Sequence, residues 1–181
     1  MQIPIYQIDA FTDKAFGGNP AAVCPLDAWL ADETMQAIAF ENNLSETAFY
    51  VANDTGGYDL RWFTPAAEVD LCGPATLATG SLILEKLTPD AEGVKFETRS
   101  GTLSVVRENG NLVMDFPALP PTPADMPEGL VEAIGHEPEA FVRAAKNMAI
   151  FADETTVRAI DPDLGYIAGM EGMGLIITAP G

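Results

Sequence analysis

The apolar positions of this chain fall into short runs broken by turn residues, and only two stretches of the first 116 residues carry helical spacing. "IPIYQIDA" (3–10) mixes β-branched and aromatic residues and predicts a strand. "FTDKAFGGNP" (11–20) gathers Gly17, Gly18, Asn19 and Pro20 into a turn, and "AAVCPL" (21–26) predicts a second strand. "DETMQAIAFEN" (32–42) places Met35, Ile38 and Ala39 at helical spacing behind an acidic first turn. "ETAFYVA" (46–52) and "YDLRWFT" (58–64), joined by "NDTGG", predict a hairpin. A second helix is expected over about Pro74–Lys86. Beyond it, "VKFETRSGTLSVVRENGNLVMDF" (94–116) predicts three strands, turning at Ser100-Gly101 and at Asn109-Gly110, the latter a type I′ hairpin signal.

The pattern then changes. "PALPPTPADMP" (117–127) contains Pro117, Pro120, Pro121, Pro123 and Pro127, which favour stiff, extended backbone. The expected organisation is a first domain over 1–116, a Pro-rich linker over 117–127 and a partial second domain over 128–181. In that last part "PEGLVEAIG", "PEAFVRAAKN", "NMAIFA", "ETTVRAI" and "MGLIITA" alternate helix-like with strand-like, beginning an α/β unit without finishing one. The apolar strand at 173–178 would be left as an unpaired edge, so a homodimer or a longer polypeptide is expected.

Composition narrows the function classes. The 181 residues are 48% hydrophobic and 20% charged, as in a globular chain. Against 27 acidic residues stand nine basic ones, a formal charge of −18, whose field repels phosphate backbones and anionic lipid surfaces. Neither nucleic acid nor membrane is therefore an expected partner. No run of about 18 apolar residues is present, and the N-terminus lacks a basic segment followed by an apolar one. Two cysteines, Cys24 and Cys72, are too few for a disulfide framework and suit a reducing cytoplasm. His136 is the only histidine and reads as a solvated loop residue, and the acidic residues lack EF-hand spacing, so no metal site is expected. "FGGNPAAV" lacks the spacing of the phosphate-cradling loops; its plain reading is a glycine turn with Asn19 bonding local backbone.

Two segments could carry chemistry. In "DLCGPATLATG" (70–80), Pro74 suits a first helical turn and Gly73 permits close approach. The amides of Ala75, Thr76 and Leu77 would then leave the positive end of the helix open to a carboxylate or phosphate, although many such glycine-proline starts merely begin helices. Cys72 beside that end is either a thiol of lowered pKa, able to act as base or nucleophile, or a small apolar group in a packed corner. In "NLSETAF" (43–49), Glu46 opens an apolar strand. Burial would raise its pKa and suit it to carry protons near neutrality; the alternative is a solvated first strand residue.

Taken in order, "IDAFT…FGGNPAAV", "NLSETAF", "RWFTPAAEVDLCGPATLATG" and "SGTLSV" resemble the PhzF-like phenazine-biosynthesis isomerases, with looser similarity through "VRAIDPDLGYIAGMEGMGLIITAPG". The resemblance implies an α+β, diaminopimelate epimerase-like fold, each half a curved mixed sheet wrapped around a central helix, with the second half incomplete here. It implies a proton moved on a small carboxylate-bearing substrate with no metal or organic cofactor. Glu46 would be the general acid/base. Asn19, Ser45, Gly73, Pro74, Ala75 and Thr76 would line the substrate site. It also implies that Cys72, matched by a cysteine in thiol-dependent epimerases of the same fold, is packing rather than base.

Two departures from the family pattern matter. Pro74 stands where the DLCGHATLA-type motif has histidine, and proline supplies neither donor nor titratable group. The glycine-serine helix start of the family's second half is absent from these 181 residues. A silent member acting as a ligand- or partner-binding module, and a racemase using Cys72 with a second thiol, are the competing readings.

Overall fold

Period-two alternation over residues 6–114 resolves into eight strands on one mixed sheet. The computed structural model describes residues 2–116, 118–172 and 174–181. Contacts divide the chain into two compact units, Met1–Phe116 and Pro117–Gly181.

In the first unit β1 (Tyr6–Ala10) and β2 (Asn19–Leu26) form an antiparallel pair. Helix α1 (Asp32–Asn42) then carries the chain to β3 (Glu46–Ala52), which runs parallel to β2. A hairpin leads to β4 (Tyr58–Phe63), and the two-residue β5 (Glu68–Val69) pairs with β4 from its far side. Helix α2 (Gly73–Leu82) is the crossover to β6 (Gly93–Thr98), parallel to β4. Strands β7 (Gly101–Glu108) and β8 (Asn111–Met114) complete the order β1-β2-β3-β4-β6-β7-β8. Asn109 and Gly110 adopt φ values of 52° and 83°, the two positive values that a type I′ turn needs.

The two helices lie on opposite faces of this sheet. Both crossovers step the same way along it but leave from strands running in opposite directions, so one preferred hand puts them on different sides. Met35 and Ala39 of α1 pack on Cys24, Phe49 and Phe63. On the other face Cys72, Ala75, Ala78 and Leu82 of the α2 segment pack among Ala21, Val23, Ala48, Trp62, Phe96 and Val105. The backbones approach so closely that a Cβ on Gly80 would lie 2.7 Å from the Val105 side chain.

The expected second helix runs to Leu82 and then widens into a π turn over Ile83–Leu87, closed by the Thr88 N–H on the Ile83 carbonyl at 2.9 Å. Arg107 reaches back to donate to the Leu84 carbonyl at 2.9 Å.

In the second unit, strands β9 (Thr122–Pro123), β10 (Ala140–Arg143), β11 (Asn147–Ile150) and β12 (Leu175–Thr178) form a sheet in the order β12-β11-β10-β9. Helices α3 (Leu130–Ile134), α4 (Glu154–Ala159) and α5 (Leu164–Ala168) are short. Leu130, Ile134, Phe141, Ala149 and Phe151 make its core. Thr122 and Pro123, expected in the linker, instead form the edge strand β9: proline is tolerated at an edge, where its missing N–H breaks no ladder. His136 lies in the loop after α3, half-buried rather than fully solvated.

Candidate functional site

The approach to α2 is fixed by polar contacts from neighbouring segments. Arg61 on β4 grips Glu68 through Nε and Nη2 at 2.7 and 2.8 Å, and Arg99 joins Glu68 at 2.7 Å. The Ser100 hydroxyl, in the β6–β7 turn, donates to the Asp70 carbonyl at 2.7 Å. The chain then reaches Cys72, the N-cap residue, in extended conformation (φ −144°, ψ 109°) with its side chain making no cap hydrogen bond.

The start of α2 is more closed than the sequence suggests. Pro74 has no N–H, and the Thr76 N–H is already bonded to the Cys72 carbonyl at 3.2 Å. The Thr76 hydroxyl donates to that same carbonyl, and both Ala75 and Thr76 are fully buried. The expectation that Thr76 offers a free amide is therefore corrected: the helix ladder takes it one residue earlier. Leu77 lies within the same ladder. The Ala75 N–H favours the charged form of the Cys72 thiol. Gly73 and Ala75 are left as the amides with no hydrogen bond to another described residue, and the Phe116 ring closes one flank, 3.6 Å from where a Gly73 Cβ would stand.

Glu46 reaches this place by strand register. Side chains two apart on a strand share a face, and Ala48 belongs to the core beneath α2, so Glu46 projects to the α2 side. Its parallel partner on β2 is Ala21, which faces the same way; Asn19, two residues earlier, shares that face. The Glu46 side chain is half-buried, and its Oε2 is enclosed without a hydrogen-bond partner among the described residues. Ser45, one residue earlier, is exposed.

The charge of Glu46 reaches the Cys72 thiol. Burial pushes that thiol up to about 12, with the Ala75 N–H pulling the other way and the negative charge of Glu46 adding to the rise. The lowered thiol pKa that a helix end can produce is thus overridden by desolvation and a neighbouring anion. Cys24 is likewise pushed up to about 12, by burial alone, and it sits in the core under α1 on the opposite face. No second thiol faces Cys72.

The structure therefore brings Glu46, Cys72 and the Gly73–Ala75 helix start together, with Asn19 on the same face of the neighbouring strand. A nearby recess of about 670 Å³ runs along the flank of α2, past Leu77 and Ser81 and against Asp9 and Thr12, rather than over its tip. Among the described residues no group of three or more His, Cys, Asp or Glu side chains could hold a metal ion, and no helix is long and apolar enough to cross a membrane. Trp62 had no role in the sequence reading beyond its strand. It is 1% exposed, on the α2 face, and its Nε1–H has no partner among the described residues.

The chain is similar to known proteins over nearly its whole length. A family model for phenazine biosynthesis-like proteins (PhzC-PhzF) matches residues 8–180. An uncharacterized isomerase of Pseudomonas aeruginosa is 52% identical over 179 residues, covering 99% of this chain and 69% of the relative. The crystal structure of a PhzF-family phenazine biosynthesis protein from Enterococcus faecalis superposes with a TM-score of 0.89 at 39% identity, over 99% of this chain and 69% of that one. A predicted epimerase from P. aeruginosa shares the fold at a TM-score of 0.76 and 17% identity, over 97% of this chain and 70% of that one. The fold is α+β and diaminopimelate epimerase-like, a mixed sheet curved around α2, and the chain belongs to the PhzC-PhzF family of phenazine biosynthesis-like proteins.

Proposed function

We propose that this chain supplies the acid–base half of an isomerase or epimerase that moves a proton on a small carboxylate-bearing substrate. Glu46, as carboxylate, takes a proton from a carbon next to an electron-withdrawing group. The electron pair of the broken C–H bond is held as enolate-like charge, and the same proton returns to a different carbon or to the other side of the first. The sequence is redox-neutral and consumes no co-reactant. The Gly73 N–H and the positive end of α2 hold the anion, and fixed dipoles of this kind stabilise developing charge without reorganising. Asn19 and Ser45 contribute polar contacts at the edge of the site, and Pro74 shapes its floor.

The observation that carries this reading is the half-buried Glu46 carboxylate, one oxygen unpartnered, beside the start of a buried helix. The isomerase named among the relatives supports it, as does the raised Cys72 thiol, which makes the sulfur a poor base near neutrality. Residues 128–181 belong, in the same reading, to a second epimerase-like domain, and the working protein is a cytoplasmic homodimer.

The test is solvent exchange. The protein is incubated in D₂O with a panel of small hydroxy-, amino- and unsaturated carboxylates, and carbon-bound deuterium is followed by NMR and mass spectrometry. Incorporation into at least one of them is expected. Binding of panel members with no incorporation into any would instead favour a ligand-binding module.

A further inference from the structure

We infer that Trp62 is a positioning residue of the Glu46 site, its indole N–H hydrogen-bonding through one bridging water to the Glu46 carboxylate. The inference rests on the reading of Glu46 given above and adds to it what holds that side chain in place.

Among the described residues two buried side-chain polar atoms have no hydrogen-bond partner, Glu46 Oε2 and Trp62 Nε1. One is an acceptor and the other a donor. A buried polar group without a partner is costly, so a chain that buries two of opposite type on one face calls for a shared partner. Register places them within reach. Ala48 on β3 is directly opposite Trp62 on β4, and Glu46 is two residues from Ala48 on the same face, making Glu46 and Trp62 diagonal neighbours. Diagonal neighbours in an antiparallel pair lie roughly 7–8 Å apart and are bridged by aromatic and long side chains.

The strand partners of Trp62 do not serve. Trp62 is flanked across the sheet by Ala48 on one side and Val69 on the other, neither with a polar side-chain atom. Arg61, next in sequence, alternates to the opposite face, where it binds Glu68 and Asp32. A direct bond between the two orphans is absent, while an O–H group can accept from the indole and donate to the carboxylate at once. Water meets that requirement in the resting protein. A substrate hydroxyl would meet it after displacing the water, whereas a methyl or carbonyl group would satisfy only one partner or neither.

The chain has two tryptophans, Trp29 and Trp62, so its indole ¹H–¹⁵N spectrum holds two signals, assigned by Trp29→Phe and Trp62→Phe. The titratable side chains of the core cluster that holds Trp62 are Tyr6 from β1, Tyr50 from β3, Tyr58 from β4 and Cys72 at the start of α2, and Glu46 lies on the same face of β3. Tyr50 and Cys72 are both pushed up to about 12, largely by burial. The Trp62 signal in the wild-type protein is expected to move with pH, and this dependence is expected to vanish in Glu46→Gln and persist in Tyr50→Phe. Trp29, 37% exposed and outside that core cluster, serves as internal control. Loss of one neutral hydrogen bond in Trp62→Phe should slow deuterium incorporation by about tenfold or less.

A Trp62 signal that titrates identically in Glu46→Gln, or never titrates, overturns the inference whatever the enzyme does. A signal that follows Glu46 while Glu46→Gln keeps full exchange activity leaves the water bridge standing and sinks the catalytic reading alone.

Discussion

The two helices of the first unit begin in opposite ways. Helix α1 opens with Asp32 and Glu33 in its first turn, so its positive end is met by its own acidic side chains. Asp32 also reaches Arg61 at 2.9 Å, tying that start to β4. Helix α2 has no acidic residue in its first turn and no side-chain cap. The carboxylate at its start, Glu46, arrives from another strand and keeps one oxygen unpartnered. A helix that neutralises itself has a stabilised end; one that leaves the task to a distant residue has an end on which that residue can act. The packing differs in the same sense. Residues of α1 such as Ala37 and Phe40 are exposed, whereas six of the ten residues of α2 are buried.

If α2 is a desolvated platform, Cys72 should be the least reactive thiol that its position allows. Moving the thiol from its ordinary value of 9.0 to about 12 cuts the thiolate fraction near neutral pH by about a thousandfold. Iodoacetamide labelling at pH 8 is expected to be that much slower in the native protein than in the unfolded chain, read by mass spectrometry. The accompanying stability runs with pH in a fixed sense: a group kept neutral by burial contributes fully below its unfolded pKa and loses that contribution as pH rises above it. Rapid native labelling of Cys72 would break the comparison, because it would make the sulfur the exposed base.

The packing contrast predicts the next largest effect. Gly80→Ala places a methyl group 2.7 Å from Val105, a residue with no exposure of its own. Overpacking of about 1–3 kcal/mol exceeds the gain in helix propensity of up to about 1 kcal/mol, so the variant should be destabilised, with Tm falling by about 2–4 °C per kcal/mol. Ala37→Leu on the exposed side of α1 should leave Tm nearly unchanged. Equal tolerance of both changes would show that α2 is not confined as described.

Asp32→Asn gives the smallest expected change and sharpens the comparison from the α1 side. The hydrogen bond from Arg61, then its charge, holds the Asp32 carboxyl below the usual carboxylate range. Its stabilising contribution is present above that range and is lost as pH falls through the lowered value. Thermal melts between pH 7 and pH 3 should show a shallower acid loss in Asp32→Asn than in the wild type. The change should be small because Asp32 is exposed. An unchanged acid profile would remove the ion pair from the account of how α1 is held.

Much of this contrast could be read from the sequence, because it depends on local pattern. The strands at 46–52 and 58–63, the helix at 32–42 and the Asn109-Gly110 turn follow from alternation, helical spacing and φ preference. Strand β2 begins at Asn19 rather than Ala21, since Gly18, at φ +65° and with the Ala10 carbonyl where a Cβ would stand, completes the turn two residues earlier. What pattern could not supply is long-range. The widening of α2 after Leu82 depends on Thr88 and Arg107, and the pairing of Thr122–Pro123 depends on β10 some 20 residues on. "PEAFVRAAKN" shows how little local composition decides: Ala140–Arg143 is a strand, held by pairing on both sides despite its helix-forming residues.

At the candidate site, Glu46 and Cys72 were visible as residue types at the margins of apolar segments. That the thiol is raised rather than lowered was not, since its burial and the Glu46 charge come from separate elements. Thr76 looked available because its amide lies in the first turn, but the N-cap carbonyl that takes it is a matter of local backbone geometry. Trp62 read as a strand residue, and only its register against Ala48 reveals an unpartnered donor.

The central claim is that the carboxylate, not the thiol, moves the proton at the start of α2. The most direct measurement compares deuterium incorporation by Glu46→Gln and Cys72→Ser, on any carboxylate that the wild-type protein exchanges and with folding checked by circular dichroism. The account predicts a loss of about 10²–10⁴-fold for Glu46→Gln, the range a positioned acid–base group contributes, and a rate within a few-fold of wild type for Cys72→Ser. The reverse pattern, with exchange abolished by the serine and preserved by the glutamine, would contradict it.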